Sequence, residues 1–185
     1  MTHIRGMARG YPYIFIILAL IFGSVYQLSS VFYLIIIILI SSLINSKVTK
    51  PVIFALCKQL NVKNIALRPK GAKNCGAFID EYTPNLLSNT YGMPSGHSLE
   101  SMIISVFLIM YVHTYHKNSL NKTILIIALG LVGISICISR VILGCHTIPQ
   151  IIIGGVLGSI IGYYGFITWD TKIKPLFDNK YKKKN

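Results

Sequence analysis

The chain has 185 residues, of which 53% are hydrophobic and only 12% are charged. A soluble domain carries about 25% charged residues, so this composition excludes an ordinary soluble protein and indicates a membrane protein. The 18 Lys and Arg residues against 5 Asp and Glu residues give a net charge of +13. Because these basic residues lie in loops and tails, we assign them to membrane topology and lipid headgroups and expect no nucleic-acid partner. The length predicts one membrane-embedded domain over residues 1–185.

The first apolar run extends from Tyr11 to Ile44 and is too long for a single span. The polar residues at 27–30 predict a turn that divides it into two spans of about 17 residues each. A clear small-residue cleavage site does not follow the first span, so we expect a retained signal anchor.

Residues 51–67 are ambiguous, because Pro51 opens an apolar stretch that Lys58, Asn61 and Lys63 interrupt. Hydropathy alone predicts an interfacial helix here and five spans. If residues 51–67 cross the membrane, all the basic segments lie on one side of it, and both termini are cytoplasmic. We therefore predict an all-α integral membrane protein, a six-helix bundle with 51–67 as its polar third helix. The basic segments are Arg5 with Arg9, Lys47 with Lys50, Lys117 with Lys122, and the tail.

The remaining spans are predicted over residues 98–116, 123–139 and 148–168. The last contains glycines at every fourth position, Gly154, Gly158 and Gly162, a pattern typical of tightly packed membrane helices. This seam packs either inside the bundle or between two copies in a homo-oligomer. The basic tail, residues 172–185, is predicted to be cytoplasmic; its final lysines resemble an endoplasmic reticulum retrieval signal or anchor the tail to acidic lipids.

Polar residues whose side chains can bind or react with a ligand lie at the ends of the apolar segments. Pro94-Ser95-Gly96-His97 stands at the mouth of a predicted helix, where backbone N–H groups, a hydroxyl and an imidazole favour an anion. Arg68-Pro69 precedes it, and Ser139-Arg140, His146 and Gln150 follow. Two histidines, two arginines and a serine at segment ends indicate a metal-free phosphoryl-transfer site.

These three blocks, in this order, resemble the signature of the type-2 phosphatidic acid phosphatase superfamily. That signature has Lys, six residues and Arg-Pro; then Pro-Ser-Gly-His; then Ser-Arg, five residues, His, three residues and Asp. The match covers about Lys58 to Gln150, with Asn61 in place of the lysine and Gln150 in place of the aspartate. Gln150, with Gly-Met-Pro-Ser before His97, is similar to the dolichyldiphosphatase branch, which hydrolyses polyisoprenyl diphosphates at the endoplasmic reticulum.

The resemblance implies a role for each matching residue. His146 attacks phosphorus, and His97 acts as general acid and then as general base. Gln150 lies one helical turn after His146, where its carbonyl can accept the other imidazole N–H and so orient the nucleophile. Neither a metal nor a cofactor is expected. The predicted phosphate-binding residues are Arg68, Ser95, Gly96, Arg140 and a lysine that replaces position 61, Lys58 or alternatively Lys63.

The leading hypothesis is a multi-pass lipid phosphatase of the endoplasmic reticulum membrane with its site on the non-cytoplasmic side. Its membrane lipid substrate would be a polyisoprenyl (dolichyl) diphosphate, hydrolysed to the monophosphate through a phosphohistidine. Two alternatives remain open: a phosphatase of phosphatidate or another lipid monophosphate, and a catalytically silent membrane scaffold. The spacing of the four cysteines suggests neither a zinc site nor a disulfide framework. They are Cys57, Cys75, Cys137 and Cys145.

Overall fold

The computed structural model describes residues 14–21, 23–24, 28–72 and 90–182, with side chains up to residue 178. Residues 14–21 are helical, and π-helical turns occupy Asn45–Thr49 and Trp169–Ile173. We number the helices that follow in chain order. They are α1 (Ser29–Ile44), α2 (Lys50–Gln59), α3 (Lys63–Ala66), α4 (Gly96–Tyr115), α5 (Ser119–Ile142), α6 (Ile148–Thr168) and α7 (Lys174–Lys182).

Long apolar helices dominate the described part of the chain, and the prediction of an all-α multi-pass membrane protein is confirmed. Within these residues, four helices are long and apolar enough to cross a membrane. The spans predicted over 98–116, 123–139 and 148–168 correspond to α4, α5 and α6. The spanning helices are Ser29–Gln59, Gly96–Tyr115, Ser119–Ile142 and Ile148–Asp178.

The segment predicted as a separate third span, residues 51–67, is built differently. Helix α1 continues through the π-helical turn Asn45–Thr49 into α2, so Ser29–Gln59 is one helix of 31 residues. Pro51, predicted to open a helix of its own, lies in the first turn of α2. A proline lacks the N–H that a regular helix needs, and the wider π turn before it absorbs that missing bond. The chain then leaves the helix at Asn61, whose φ of 58° is left-handed.

Helix α4 is the centre of the bundle and packs against α1, α5 and α6. Its apolar face meets the inner faces of α1 and α6, and these side chains form the core. Leu99, at its first turn, and Phe107, two turns later, are almost fully buried. The buried core residues are Leu34, Ile38, Leu99, Ile103, Ile104, Phe107, Phe166 and Trp169.

The predicted glycine seam packs inside the bundle, along α4. A Cβ atom on Gly154 would lie 2.6 Å from the carbonyl oxygen of Ser95, and one on Gly162 would lie 2.7 Å from that of Ile103. At Gly158 the clash would be with the carbonyl of Leu99. Real Cβ atoms do not approach backbone so closely, so only glycine permits this contact. The seam is thus occupied within the chain, and the structure does not support the alternative of a homo-oligomer contact through it.

The two ends of α4 define the two ends of the bundle. At its C-terminal end Tyr115 donates a hydrogen bond to Asp170, and the ammonium of Lys174 lies 4.4 Å from the Tyr115 ring centre. At its N-terminal end Lys50 lies close enough to interact electrostatically with Glu100. The prediction that grouped Lys50 with the basic loop after α4 was therefore wrong, because Lys50 lies near the N-terminal end of α4 and that loop follows its C-terminal end.

Candidate active site

The segment before Arg68 is tied directly to the Pro-Ser-Gly-His segment. Leu67 and Tyr91 form an antiparallel bridge, and the backbone N–H of Arg68 donates to the carbonyl of Thr90 over 3.1 Å. The backbone N–H groups of Gly92 and Met93 both donate to the carbonyl of Ala66, at 2.7 and 3.2 Å. These backbone bonds bring two of the three sequence blocks together.

Ser95 is the N-cap of α4, which confirms that the Pro-Ser-Gly-His block lies at a helix mouth. Its fully buried hydroxyl oxygen accepts the backbone N–H of Ser98 at 3.4 Å and the Ser98 hydroxyl at 3.0 Å. Gly96 and His97 are the first residues of the helix, and both are partly exposed. Helix geometry gives the first N–H groups no partner inside the helix, so this end favours an anion. The direct contact of Ser95 with phosphate stays a prediction.

Arg140, near the end of α5, organises the turn that carries His146. Its carbonyl accepts the backbone N–H groups of Cys145 at 2.9 Å and His146 at 3.1 Å. Gly144 supplies the left-handed residue of this turn, with φ at 70°. The Arg140 side chain is fully buried, and its Nε and Nη2 atoms donate to the Ser139 hydroxyl, each at 3.2 Å. The turn therefore fixes the backbone of His146 relative to the end of α5 that carries Arg140.

Gln150 connects this turn to the Arg68 segment through four hydrogen bonds. Its amide Nε2 donates to the carbonyl oxygens of Ile65 at 3.0 Å and Leu67 at 2.6 Å. Its Oε1 lies 3.0 Å from Nδ1 of His146 and accepts the backbone N–H of Thr147 at 3.3 Å. All three sequence blocks are thus joined.

The Gln150 network also fixes the tautomer of His146. Because the amide nitrogen must face the two carbonyl oxygens, the amide oxygen faces the imidazole. Nδ1 of His146 therefore carries the proton and donates it to Gln150, which leaves the lone pair on Nε2. The contact predicted for Gln150 is the one found, and a neutral imidazole held in this way can act as a nucleophile.

The surroundings of His146 keep its imidazole neutral. Burial, together with the positive charge of Arg68, lowers the pKa of His146 from 6.5 to about 3. The hydrogen bond to Gln150 opposes this shift, while Lys50 and His97 add to it. His146 is only 5% exposed. The imidazole therefore stays uncharged at every physiological pH, as attack on phosphorus requires.

Arg68, which lies close to His146, has a buried hydrogen-bond donor, its Nε atom. Burial lowers the pKa of its guanidinium. Among the residues that the structure describes, none accepts a hydrogen bond from its buried Nε atom. A buried donor without an acceptor is costly, and an anionic ligand would satisfy it.

The structure brings a different lysine to the site from those predicted. Lys58 and Lys63 are exposed, and Asn61, at the motif's lysine position, is exposed just beyond the end of α2. Lys50 is half-buried instead and interacts electrostatically with Arg68. Sequence reasoning missed it because residues 51–67 were assigned to a span of their own. The sequence contained one indication of its role: Lys50 directly precedes Pro51, and a proline makes a helix irregular at that point.

Cys145, directly before His146, is disulfide-bonded, although the spacing of the cysteines suggested no disulfide framework. Cys57 and Cys137 are free thiols. Sequence spacing gave no indication of this bond. The disulfide restrains the turn that carries the candidate nucleophile.

Comparison with known families gives a match over most of the chain. The model of the PAP2 superfamily, the type-2 phosphatidic acid phosphatases, matches residues 27–174 and so includes all three blocks. The chain belongs to the PAP2 superfamily. No solved structure gives a significant match.

Individual relatives are about 30% identical to this chain over the aligned residues. A protein named dolichyldiphosphatase from Saccharomyces cerevisiae is 29% identical over 126 residues, which cover 61% of this chain and 51% of the relative. Dolichyldiphosphatase 1 from Homo sapiens is 31% identical over 125 residues, which cover 63% of this chain and 49% of the relative. The chain thus spans about half the length of these relatives.

Proposed function

We propose that this protein is a membrane lipid phosphatase that hydrolyses a polyisoprenyl diphosphate, such as dolichyl diphosphate, to the monophosphate. The observation that carries the proposal is the hydrogen bond between His146 and Gln150, which leaves a neutral Nε2 lone pair beside Arg68. The names of the relatives support the substrate class.

In the first step Nε2 of His146 attacks the terminal phosphorus. A P–N bond forms while the P–O bond to the inner phosphate breaks, and the lipid monophosphate leaves with a proton from His97. Arg68, Arg140 and the N-terminal amide of Gly96 stabilise the charge that spreads over the equatorial oxygens. The bonding electrons of the broken P–O bond stay with the leaving oxygen.

In the second step water attacks the phosphohistidine. His97, now neutral, takes a proton from the water, the P–N bond breaks, and inorganic phosphate is released. His146 recovers its lone pair on Nε2, while its Nδ1 keeps its proton and donates it to Oε1 of Gln150 throughout. The site's fixed positive charge performs the stabilisation that a metal ion provides in other phosphatases.

Gln150 favours a diphosphate over a monophosphate substrate. An amide gives the imidazole no negative charge, so His146 is a weaker nucleophile than it would be beside an aspartate. A weaker nucleophile requires a better leaving group. The leaving group of a diphosphate is a phosphate monoester, which is far less basic than the alkoxide that a lipid monophosphate releases.

The orientation of the site in the membrane rests on the disulfide at Cys145. Basic residues flank both ends of the described bundle, with Lys47 and Lys58 near one end and Lys122 and Lys174 at the other. Charge alone therefore does not orient the bundle. Disulfides form in oxidising compartments, which supports a site on the non-cytoplasmic side, as in the lumen of the endoplasmic reticulum. The C-terminal tail, at the opposite end from His146, is then cytoplasmic.

Phosphate release from purified protein in detergent tests the proposal. The substrates are a polyisoprenyl diphosphate and phosphatidate, assayed with a metal chelator and with His146→Asn as the matched inactive variant. We expect release from the diphosphate, unaffected by the chelator and absent in the variant. Preference for phosphatidate would contradict the substrate class, and no release from folded protein would favour the scaffold alternative.

A further inference from the structure

The π-helical turn Asn45–Thr49 changes which side chains of the long helix face the site. In a regular α-helix residues five apart point about 140° away from each other. Here the backbone N–H of Lys50 donates to the carbonyl of Asn45, the i to i+5 bond that defines a π turn. This wider turn rotates Lys50 towards the face that carries Asn45.

That face of the helix lies beside the N-terminus of α4. Asn45 is buried, and its Nδ2 atom lies 3.6 Å from the position that a Cβ on Gly96 would occupy. Gly96 is the first residue of α4, whose N-terminus favours an anion. The π turn therefore stands beside the end of α4 where a phosphate would bind.

The charges around Lys50 connect it with the same site. Its ammonium interacts electrostatically with the guanidinium of Arg68 and the carboxylate of Glu100. It also interacts electrostatically with the imidazole of His146. Glu100 is only 9% exposed, lies one turn after His97 and accepts a hydrogen bond from the Ser42 side chain. A buried carboxylate beside an anion site is unfavourable unless a cation accompanies it.

We propose that Lys50 binds the substrate phosphate and that Glu100 keeps its ammonium in the site when substrate is absent. This assignment rests on the proposed function for the identity of the natural ligand. It adds a third cation to Arg68 and Arg140. The arrangement also explains how the site functions with an exposed asparagine at position 61, because the charge comes from a position eleven residues earlier in the chain.

Calorimetric titration with inorganic phosphate, which is not turned over, tests Lys50 independently of hydrolysis. A charge-assisted hydrogen bond contributes about 1.5–3 kcal/mol, so Lys50→Gln should weaken phosphate binding by about 10- to 100-fold. Lys50→Arg should restore most of the affinity. Lys47→Gln and Lys58→Gln, exposed positions on the same helix, should bind like the wild type. A folded Lys50→Gln protein with wild-type affinity would overturn the proposal.

A second measurement uses the wild-type protein and so does not depend on the folding of a variant. Lysine labelling by reductive methylation, read by mass spectrometry, should be reduced by phosphate at Lys50 and unchanged at Lys47 and Lys58. Equal labelling of Lys50 with and without phosphate would contradict the assignment. If phosphate protects Lys50 but the diphosphate is not hydrolysed, the proposed function fails and the Lys50 site remains.

Discussion

The side-chain amide of Gln150 contacts His146 and Leu67 at the same time. Its oxygen lies 3.0 Å from Nδ1 of His146, and its nitrogen donates to the carbonyl oxygen of Leu67 at 2.6 Å. Glutamine therefore makes a set of contacts here that an aspartate could not make. An aspartate could orient the imidazole, but it has no donor for the carbonyl oxygens of Ile65 and Leu67. The glutamine ties the nucleophile to the segment that carries Arg68.

Gln150→Asp should lower activity, although aspartate is the residue of the superfamily signature. Two buried carbonyl oxygens would lose their donor and face a carboxylate, and each unsatisfied group costs about 1–3 kcal/mol. We expect phosphate release to fall at least about tenfold and the melting temperature to decrease. Gln59→Asp, an exposed position on α2, is the matched control and should leave both unchanged. Full activity of Gln150→Asp would show that the network is dispensable.

Gly92→Ala should disrupt the same network from the other side. A Cβ at Gly92 would lie 2.6 Å from Oε1 and 2.7 Å from Nε2 of Gln150, so the amide would have to move. We expect a loss of activity similar to that of Gln150→Asp. Gly130→Ala is the control: nothing lies within 4 Å of its added Cβ, and alanine favours a helix by up to about 1 kcal/mol. Unchanged activity in Gly92→Ala would refute the role of this contact.

The buried His146 should make folding sensitive to acid. Burial lowers its pKa from 6.5 to about 3 in the folded protein. Between these values the unfolded chain binds a proton that the folded protein does not, so the free energy of unfolding decreases as the pH falls through this interval. Thermal unfolding between neutral pH and about pH 4.5 should show a smaller loss of stability in His146→Asn than in the wild type. His113→Asn, an exposed position on α4, should follow the wild type; identical slopes in all three proteins would contradict the shift.

Reduction of the disulfide at Cys145 should impair catalysis more than folding. Cys145 directly precedes His146, and the bond restrains the turn that both share. We expect reductant, or Cys145→Ser, to lower kcat, measured as phosphate release, while circular dichroism retains the helical signal. Cys57→Ser replaces a free thiol on α2 and should behave as the wild type. An unchanged kcat after verified reduction would argue that the turn needs no such restraint.

The sequence predicted the long helices well, and it placed Gln150 one turn after His146, where the two side chains are in hydrogen-bond contact. Helix α6 begins at Ile148 and ends at Thr168, as predicted, because Pro149 and the glycine seam mark it strongly. The three motif blocks supplied His97, Arg140, His146 and Gln150, and their spacing anticipated the bond between Gln150 and His146.

The region between Ile44 and Arg68 was predicted less well, because its shape depends on tertiary contacts. Pro51 has the same local signature whether it starts a helix or follows a π turn within one. Position 61 was selected by its spacing from Arg68 in the chain, whereas Lys50, and not the exposed Asn61, interacts electrostatically with Arg68. Equally, a disulfide between distant cysteines cannot be inferred from spacing.

Trapping of the phosphoenzyme tests the central claim most directly. The protein would be mixed with a polyisoprenyl diphosphate labelled in its terminal phosphate, quenched in base within the first turnover and digested for mass spectrometry. The account predicts an acid-labile, base-stable phosphoryl group on His146 that is absent from His146→Asn. Label on another residue, or phosphate release by His146→Asn at the wild-type rate, would contradict it.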